Sequence, residues 1–249
     1  MGARGNGRNG CTGICVDELK VPPGVAAANL YGETLWLLPQ KAAFWPARHT
    51  LLVADVHFGK AAAFRALGQP VPRGTTQANL RRLDAMLALL ALHGTPVKRL
   101  IFLGDFLHAR HGRHADVLAA LAQWRARHAD LHCVLVRGNH DQHAGDPPAD
   151  LAIEVVAEPL LEPPFAWCHE NDTPVPAGFY AVGGHLHPAF VLTGRAHERV
   201  RLACFCFDPT RGLLPAFGEF TGHCTVEQQT GRKLWVAAGD QVFAIPPQR

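Results

Sequence analysis

From Thr34 to Ala54 the apolar positions come in short unbroken runs, Thr34–Leu38, Ala42–Trp45 and Leu51–Ala54, cut by Pro39 and Pro46. Runs of this length predict strands, and the wholly apolar Leu51–Ala54 predicts one buried on both faces. The period then changes. Leu80, Leu83, Leu87 and Leu90 recur at three and four residues, which predicts a helix over about 75–93 that Gly94 stops. Arg99–Leu103 reads as another buried strand. A helix over about 115–128 follows, with Val117, Leu118, Leu121 and Trp124 on one face, and then a third buried strand, Cys133–Val136. Strand, helix and strand in alternation predict a parallel sheet with right-handed crossovers.

After Pro148 the helical period disappears. Ile153–Val156, Phe165–Cys168, Phe179–Val182, Val200–Phe207, Leu213–Phe217 and Leu234–Ile245 read as short strands broken by Gly and Pro. No linker separates the two halves, so a single domain over residues 25–249 with two facing sheets is expected. Residues 1 to about 24 are rich in Gly, Asn and Arg without periodicity, and disorder is expected there.

Composition narrows the function only a little. With 249 residues and 48% apolar content the chain can bury a full core. A net charge of +3 permits an anionic substrate, but no basic run is long enough to track a nucleic-acid backbone. No apolar stretch is long enough to span a bilayer, and the N-terminus has no apolar signal core, so no membrane partner and a cytoplasmic location are expected. The seven cysteines are scattered, and Cys204 and Cys206 alternate on one face of an apolar run, as buried thiols would. Cys11 and Cys15 lack the spacing of a zinc knuckle.

The 15 histidines change the picture, because several fall at strand ends beside carboxylates. Asp55-Val56-His57, Gly104-Asp105, Gly138-Asn139-His140-Asp141, Cys168-His169 and Gly184-His185-Leu186-His187 each follow an apolar strand. In an open α/β sheet such ends converge on one crevice. Asp55, His57, Asp105, Asn139, His169, His185 and His187 are then candidate ligands. Imidazole and carboxylate suit Mn²⁺, Fe²⁺ or Zn²⁺, and seven ligands suit two ions sharing one carboxylate, an arrangement for hydrolysing phosphate esters. In extended geometry Asp55 and His57 would point to one side, as would His185 and His187.

The order DxH, GD, GNHD, H and GHxH resembles the calcineurin-like metallophosphoesterase superfamily. Asp55–Lys60, Leu103–His108 and Pro215–Gly222 further resemble the bacterial DNA-ligase-associated phosphoesterases, a group of DNA-damage-response endonucleases. The resemblance implies a four-layer αββα sandwich, two mixed sheets facing each other between helices. It implies two divalent ions, Mn²⁺ before Fe²⁺ or Zn²⁺. Asp55, His57 and His187 would hold one, Asn139, His169 and His185 the other, and Asp105 would bridge. His140 would face the substrate and Asp141 would orient it. Implied partners are DNA, a DNA ligase and a repair helicase. His169 departs from the wider pattern by following Cys168 instead of Gly.

Lys60, Arg137 and the loop after Asp105, with His108, Arg110, His111, Arg113 and His114, are candidate contacts for the substrate's phosphates. An ordinary histidine titrates near neutrality, so His140 could protonate a leaving oxygen. Two competing readings are a phosphodiesterase or phosphatase of a small metabolite, such as a cyclic nucleotide or a nucleotide-sugar lipid precursor, and a scaffold without catalysis. The scaffold would not need every ligand position filled, as it is here.

Overall fold

The computed structural model describes residues 20–194 and 198–247, with the His111 side chain excepted. The expected disorder of the head, and Cys11 and Cys15, therefore fall mostly outside the described residues. Residues 20–24 are described, and Val21 packs against the core.

The first sheet contains seven strands in chain order: β1 (Ala26–Leu30), β2 (Glu33–Leu38), β3 (Ala42–Trp45), β4 (Thr50–Ala54), β5 (Arg99–Leu103), β6 (His132–Val136) and β7 (Ile153–Val156). The first three junctions are antiparallel, and β4 to β7 are parallel. The predicted crossover helices are present as α2 (Thr75–Leu92) and α3 (Ala115–Arg127), after a short α1 (Lys60–Ala66). Both bury their apolar stripes on one face of this sheet: Leu80, Leu83, Met86 and Leu90 from α2, and Val117, Leu121 and Trp124 from α3. A six-residue α4 (Asn139–Ala144) begins inside the GNHD segment.

The second sheet is built from β8 (Leu160–Glu162), β9 (Phe165–Trp167), β10 (Tyr180–Gly183), β11 (Pro188–Thr193), β12 (Arg199–Phe207), β13 (Arg211–Leu213), β14 (Cys224–Thr225), β15 (Lys233–Ala238) and β16 (Gln241–Ile245). Its order is β14-β11-β12-β13-β10-β9-β8, with the β15–β16 hairpin joined at β12. The run 234–245, expected as one strand, is thus two, because Gly239 turns the chain at a left-handed φ of 60°.

The two mixed sheets face each other, as expected of the α/β sandwich. Leu35, Leu37, Trp45, Leu52, Ile101 and Val134 of the first meet Phe165, Trp167, Tyr180, Phe205 and Phe207 of the second. Among the described residues, all four α-helices come from residues 60–144. On the second sheet, Cys204 and Cys206 pack with Leu213, Leu234 and Val236 in a separate apolar cluster, and both thiols are free and buried.

Trp45 pins the two sheets together. Its ring lies 5.1 Å from Phe165 and 5.7 Å from Trp167, and its indole N–H donates to Glu33 at 2.8 Å. Trp45→Ala should cost about 3–5 kcal/mol, read as a lower midpoint in urea with an unchanged slope. A loss below about 1 kcal/mol would mean that the sheets do not depend on this contact.

Candidate metal centre

The centre is assembled by strand register. Ala54 pairs with Leu103 across parallel β4 and β5, so Asp55 and Asp105 leave neighbouring strands at the same end. β6 pairs with β5 and ends on Arg137-Gly138-Asn139. In the second sheet, parallel β9 and β10 bring His169 and His185 to the same edge of the crevice. A bridge between Ala54 and Ala216 ties the second half of the chain to the end of β4.

The ligand pairs are not extended, contrary to the expectation from their two-residue spacing. Asp55, His57, Asp105, His185 and His187 have φ of 53°, 48°, 51°, 64° and 49°, in the left-handed region. They are half of the ten described non-glycine residues with positive φ, so backbone strain is concentrated at this one place. The glycines before them are needed for proximity. A Cβ on Gly138 would lie 2.6 Å from the Asp105 amide and carboxylate, one on Gly104 would strike the His169 imidazole, and one on Gly184 the Asp55 carboxylate.

All seven expected ligands converge. Oδ1 of Asp55 lies 3.5 Å from Nε2 of His187, and Oδ2 of Asp105 lies 3.6 Å from Nε2 of His57. Oδ1 of Asp105 lies 3.4 Å from Nε2 of His169, which is 2.8 Å from Oδ1 of Asn139 and 3.2 Å from Nδ1 of His185. Asp105 therefore presents one oxygen to each group, as a bridge must.

The donor set fits cations. Nε2 of His57 and Nε2 of His187 are buried without any hydrogen-bond partner, both turned towards carboxylates. Their other nitrogens are occupied. Nδ1 of His187 donates to the Gly222 carbonyl at 2.9 Å, and Nδ1 of His57 meets Nδ1 of His108 at 3.4 Å. Nδ1 of His169 likewise donates to the Leu103 carbonyl at 3.1 Å. Such outer contacts fix which imidazole nitrogen faces an ion.

Charge in the centre depends on burial. Burial raises the Asp105 carboxyl, with Asp55 adding to the lift and His169 opposing it. Burial also drives His57 far below the ordinary histidine range, helped by Lys60 and the neighbouring imidazoles, so the ring stands neutral. His187 is raised: burial opposes this, but the Asp55 carboxylate outweighs it.

Asp141 has a different place from the one expected. Its carboxylate accepts the N–H groups of Gly138 at 2.9 Å, Phe106 at 2.9 Å and Leu107 at 3.3 Å, which clamps the GNHD turn onto the loop after Asp105. Burial lifts this carboxyl to about 6. The orienting contact to His140 comes from the His108 carbonyl, which accepts from Nδ1 at 2.8 Å. Nε2 of His140 is left 3.9 Å from Asp105, on a half-exposed ring.

The other candidates separate. His108 stacks on His140 at 5.1 Å with 23° between the rings, and burial, Lys60 and His140 lower it to about 4. Lys60 opens α1 beside Asp105 and Asp55, with its ammonium 5.9 Å from the Phe64 ring. Arg113 is engaged by the carbonyls of Ala144, Gly145 and Asp146, and Arg137 by a two-pronged pair with Asp146 at 2.7 and 2.9 Å. Arg110 is exposed, donating to the His143 carbonyl at 3.2 Å, and His114 is exposed. Sequence reasoning missed the Gly222 carbonyl and the His57–His108 contact. A backbone acceptor has no side-chain signature, although the Pro215–Gly222 motif contains it.

Comparison with known proteins agrees with this geometry. The calcineurin-like phosphoesterase family matches residues 48–203, and the chain belongs to that family; it is a metal-dependent phosphoric ester hydrolase. The solved structure of Pseudomonas putida nuclease MPE is similar at 45% identity, covering 89% of this chain and 100% of that one, with a TM-score of 0.76. A search of curated proteins finds no match.

Two outcomes are expected. Asp105→Asn should lower the content of both ions in elemental analysis and cost more activity than loss of any one terminal ligand; two ions retained at full activity would sink the bridge. Ion binding needs Asp105 ionised and His187 unprotonated, and both hold protons to higher pH than usual in the ion-free protein. Binding therefore expels protons, and affinity should rise with pH. Mn²⁺ titrations at pH 6 and pH 8 check this, and equal affinities would contradict it.

Proposed function

We propose that the chain is a dinuclear nuclease that hydrolyses phosphodiesters within DNA, with Mn²⁺ as its working ion, in repair alongside a DNA ligase and helicase. The observation that carries the reading is the pair of orphaned imidazole nitrogens facing two buried carboxylates. Its direction towards nucleic acid is supported by similarity along the whole of a solved nuclease. The ligase and helicase partners rest on the resemblance of Asp55–Lys60, Leu103–His108 and Pro215–Gly222 alone.

Asp55, His57 and His187 would hold one ion, Asn139, His169 and His185 the other, and Asp105 both. When bound, such a pair lowers the pKa of water towards neutrality and offsets charge on the phosphate. The chain's own residues do the rest. The Asp141 clamp fixes the loops that carry Asp105 and Asn139 relative to each other. His140, held through Nδ1 by the His108 carbonyl, keeps Nε2 3.9 Å from Oδ2 of Asp105 on a half-exposed ring. A proton carried there can pass to the leaving oxygen. Lys60 places a cation beside the carboxylates, and the exposed Arg110, on the loop after Asp105, adds a second positive charge free to meet a phosphate.

His140→Ala should keep its ions and lose about 10²–10⁴-fold in rate on DNA. The loss should shrink on bis-p-nitrophenyl phosphate, whose leaving group needs no proton; an equal loss on both would assign His140 to phosphate contact instead.

DNA binding should weaken with salt, and Lys60→Ala and Arg110→Ala should each reduce the slope by about one phosphate's worth. If the ion-loaded protein turns over small diesters but neither binds nor cuts single- or double-stranded DNA at low salt, the nuclease reading fails. A small-metabolite phosphodiesterase then takes its place.

A further inference from the structure

The segment Pro215–Gly222 supplies no ion ligand, yet it lies against the centre along much of its length. The Phe217 amide donates to the Ala54 carbonyl at 2.8 Å, and the Gly218 amide to that of Asp55 at 3.0 Å. Beyond these bonds the chain turns outwards. Phe220 has a left-handed φ of 58°, and the Gly222 carbonyl then returns to Nδ1 of His187 at 2.9 Å.

The outward turn is held from the other half of the molecule. Arg82, on α2, donates to Oε1 of Glu219 at 2.6 Å and to the Phe217 carbonyl, and its guanidinium sits 4.0 Å from the Phe217 ring centre. Lys41, between β2 and β3, reaches the Gly218 carbonyl at 3.5 Å and Glu219 at 3.7 Å. Burial opposes ionisation of Glu219, but Lys41 and Arg82 hold its carboxyl below the usual range. A part-exposed glutamate with two cationic partners and no reach to the ligands has little reason to be here except to fix the segment.

We propose that Arg82 and Glu219, with Lys41, are positioning residues for one of the two ion sites. They hold the Gly222 carbonyl in place, which keeps the proton of His187 on Nδ1 and Nε2 turned to Asp55. An imidazole that ligates through one nitrogen needs a fixed acceptor at the other, and loss of such an acceptor typically weakens ion binding by about 10–100-fold. The second site does not depend on this brace. His169 is oriented by the Leu103 carbonyl at the end of β5, and its Nε2 lies 2.8 Å from Oδ1 of Asn139, just after β6. Breaking the brace should therefore affect the sites unequally. The inference rests on the dinuclear reading but not on the identity of the substrate.

The test is Mn²⁺ titration of the full chain, with the thermal midpoint of the ion-free protein measured beside it. Glu219→Gln removes the charge at a side chain 46% exposed, so folding should survive. Arg82→Ala removes the partner, and Arg82→Lys keeps a cation next to Glu219. Asp208→Asn, which breaks the remote pair with Arg232, serves as the control.

In Glu219→Gln and Arg82→Ala, one site should weaken about tenfold while the other keeps its wild-type affinity. Arg82→Lys should recover part of the loss, and Asp208→Asn should leave both sites unchanged. The ion-free midpoint of Glu219→Gln should stay with that of Asp208→Asn. Wild-type affinity at both sites in Glu219→Gln would overturn the proposal. So would equal weakening of both sites together with a lowered ion-free midpoint, since that is general loosening. Should Arg82→Ala fail to fold, Glu219→Gln decides alone. A protein that shows the unequal isotherm but cuts no DNA would sink the proposed substrate and leave this inference standing.

Discussion

Two carboxylates, Asp55 and Asp105, are buried side by side at the ends of adjacent parallel strands, 0% and 2% exposed. Burying even one unpaired carboxylate is costly, and a second like charge beside it makes matters worse. The lifted Asp105 carboxyl records that cost. Among the described residues no lysine or arginine forms a salt bridge to either group; the surroundings supply imidazole nitrogens, two of them without a partner. Neutral donors around paired anions are what divalent cations require. Register, strain, glycine placement and the joining of two sheets all follow from assembling that group.

The assembly draws on both halves of the chain. β4, β5 and β6 present Asp55, Asp105 and Asn139, while β9 and β10 present His169 and His185 from the facing sheet. The apolar layer between the sheets, with Trp45 at its heart, sets the spacing at which those two sets meet. Loops at the rim are then locked by polar groups. Asp141 ties two of them through three backbone N–H bonds, and the Arg82–Glu219 pair ties a third. The strained turns at the ligands persist because packing and polar anchors together over-determine them.

Much of this architecture is legible in the amino-acid sequence. β2, β3, β4, β5 and β6 are apolar runs between breakers, and the two long helices show a clean three-and-four period. The ligands are legible because DxH, GD, GNHD and GHxH each sit at a strand end. Other features carry no such signal. β1 (Ala-Ala-Ala-Asn-Leu) follows the Gly-rich head without strong alternation, and α1 and α4 are too short to show a period. Helix α4 hides inside GNHD, and this relocates Asp141: at the third helical position its carboxylate turns back to the Gly138 amide. Arg113 and Arg137 look like phosphate contacts in the sequence because their partners, carbonyls of residues 144–146 and Asp146, lie far along the chain or give no pattern. The left-handed turns at Asp55 and His187 oppose local preference, and tertiary contacts alone impose them.

The central claim is that Asp105 joins two ions into one unit. Electron paramagnetic resonance of the Mn²⁺-loaded protein reads this directly, because ions sharing a carboxylate are exchange-coupled and isolated ions are not. The account predicts a coupled spectrum at two ions per chain that collapses to isolated-ion lines in Asp105→Ala. An uncoupled spectrum from the fully loaded wild-type protein would contradict it.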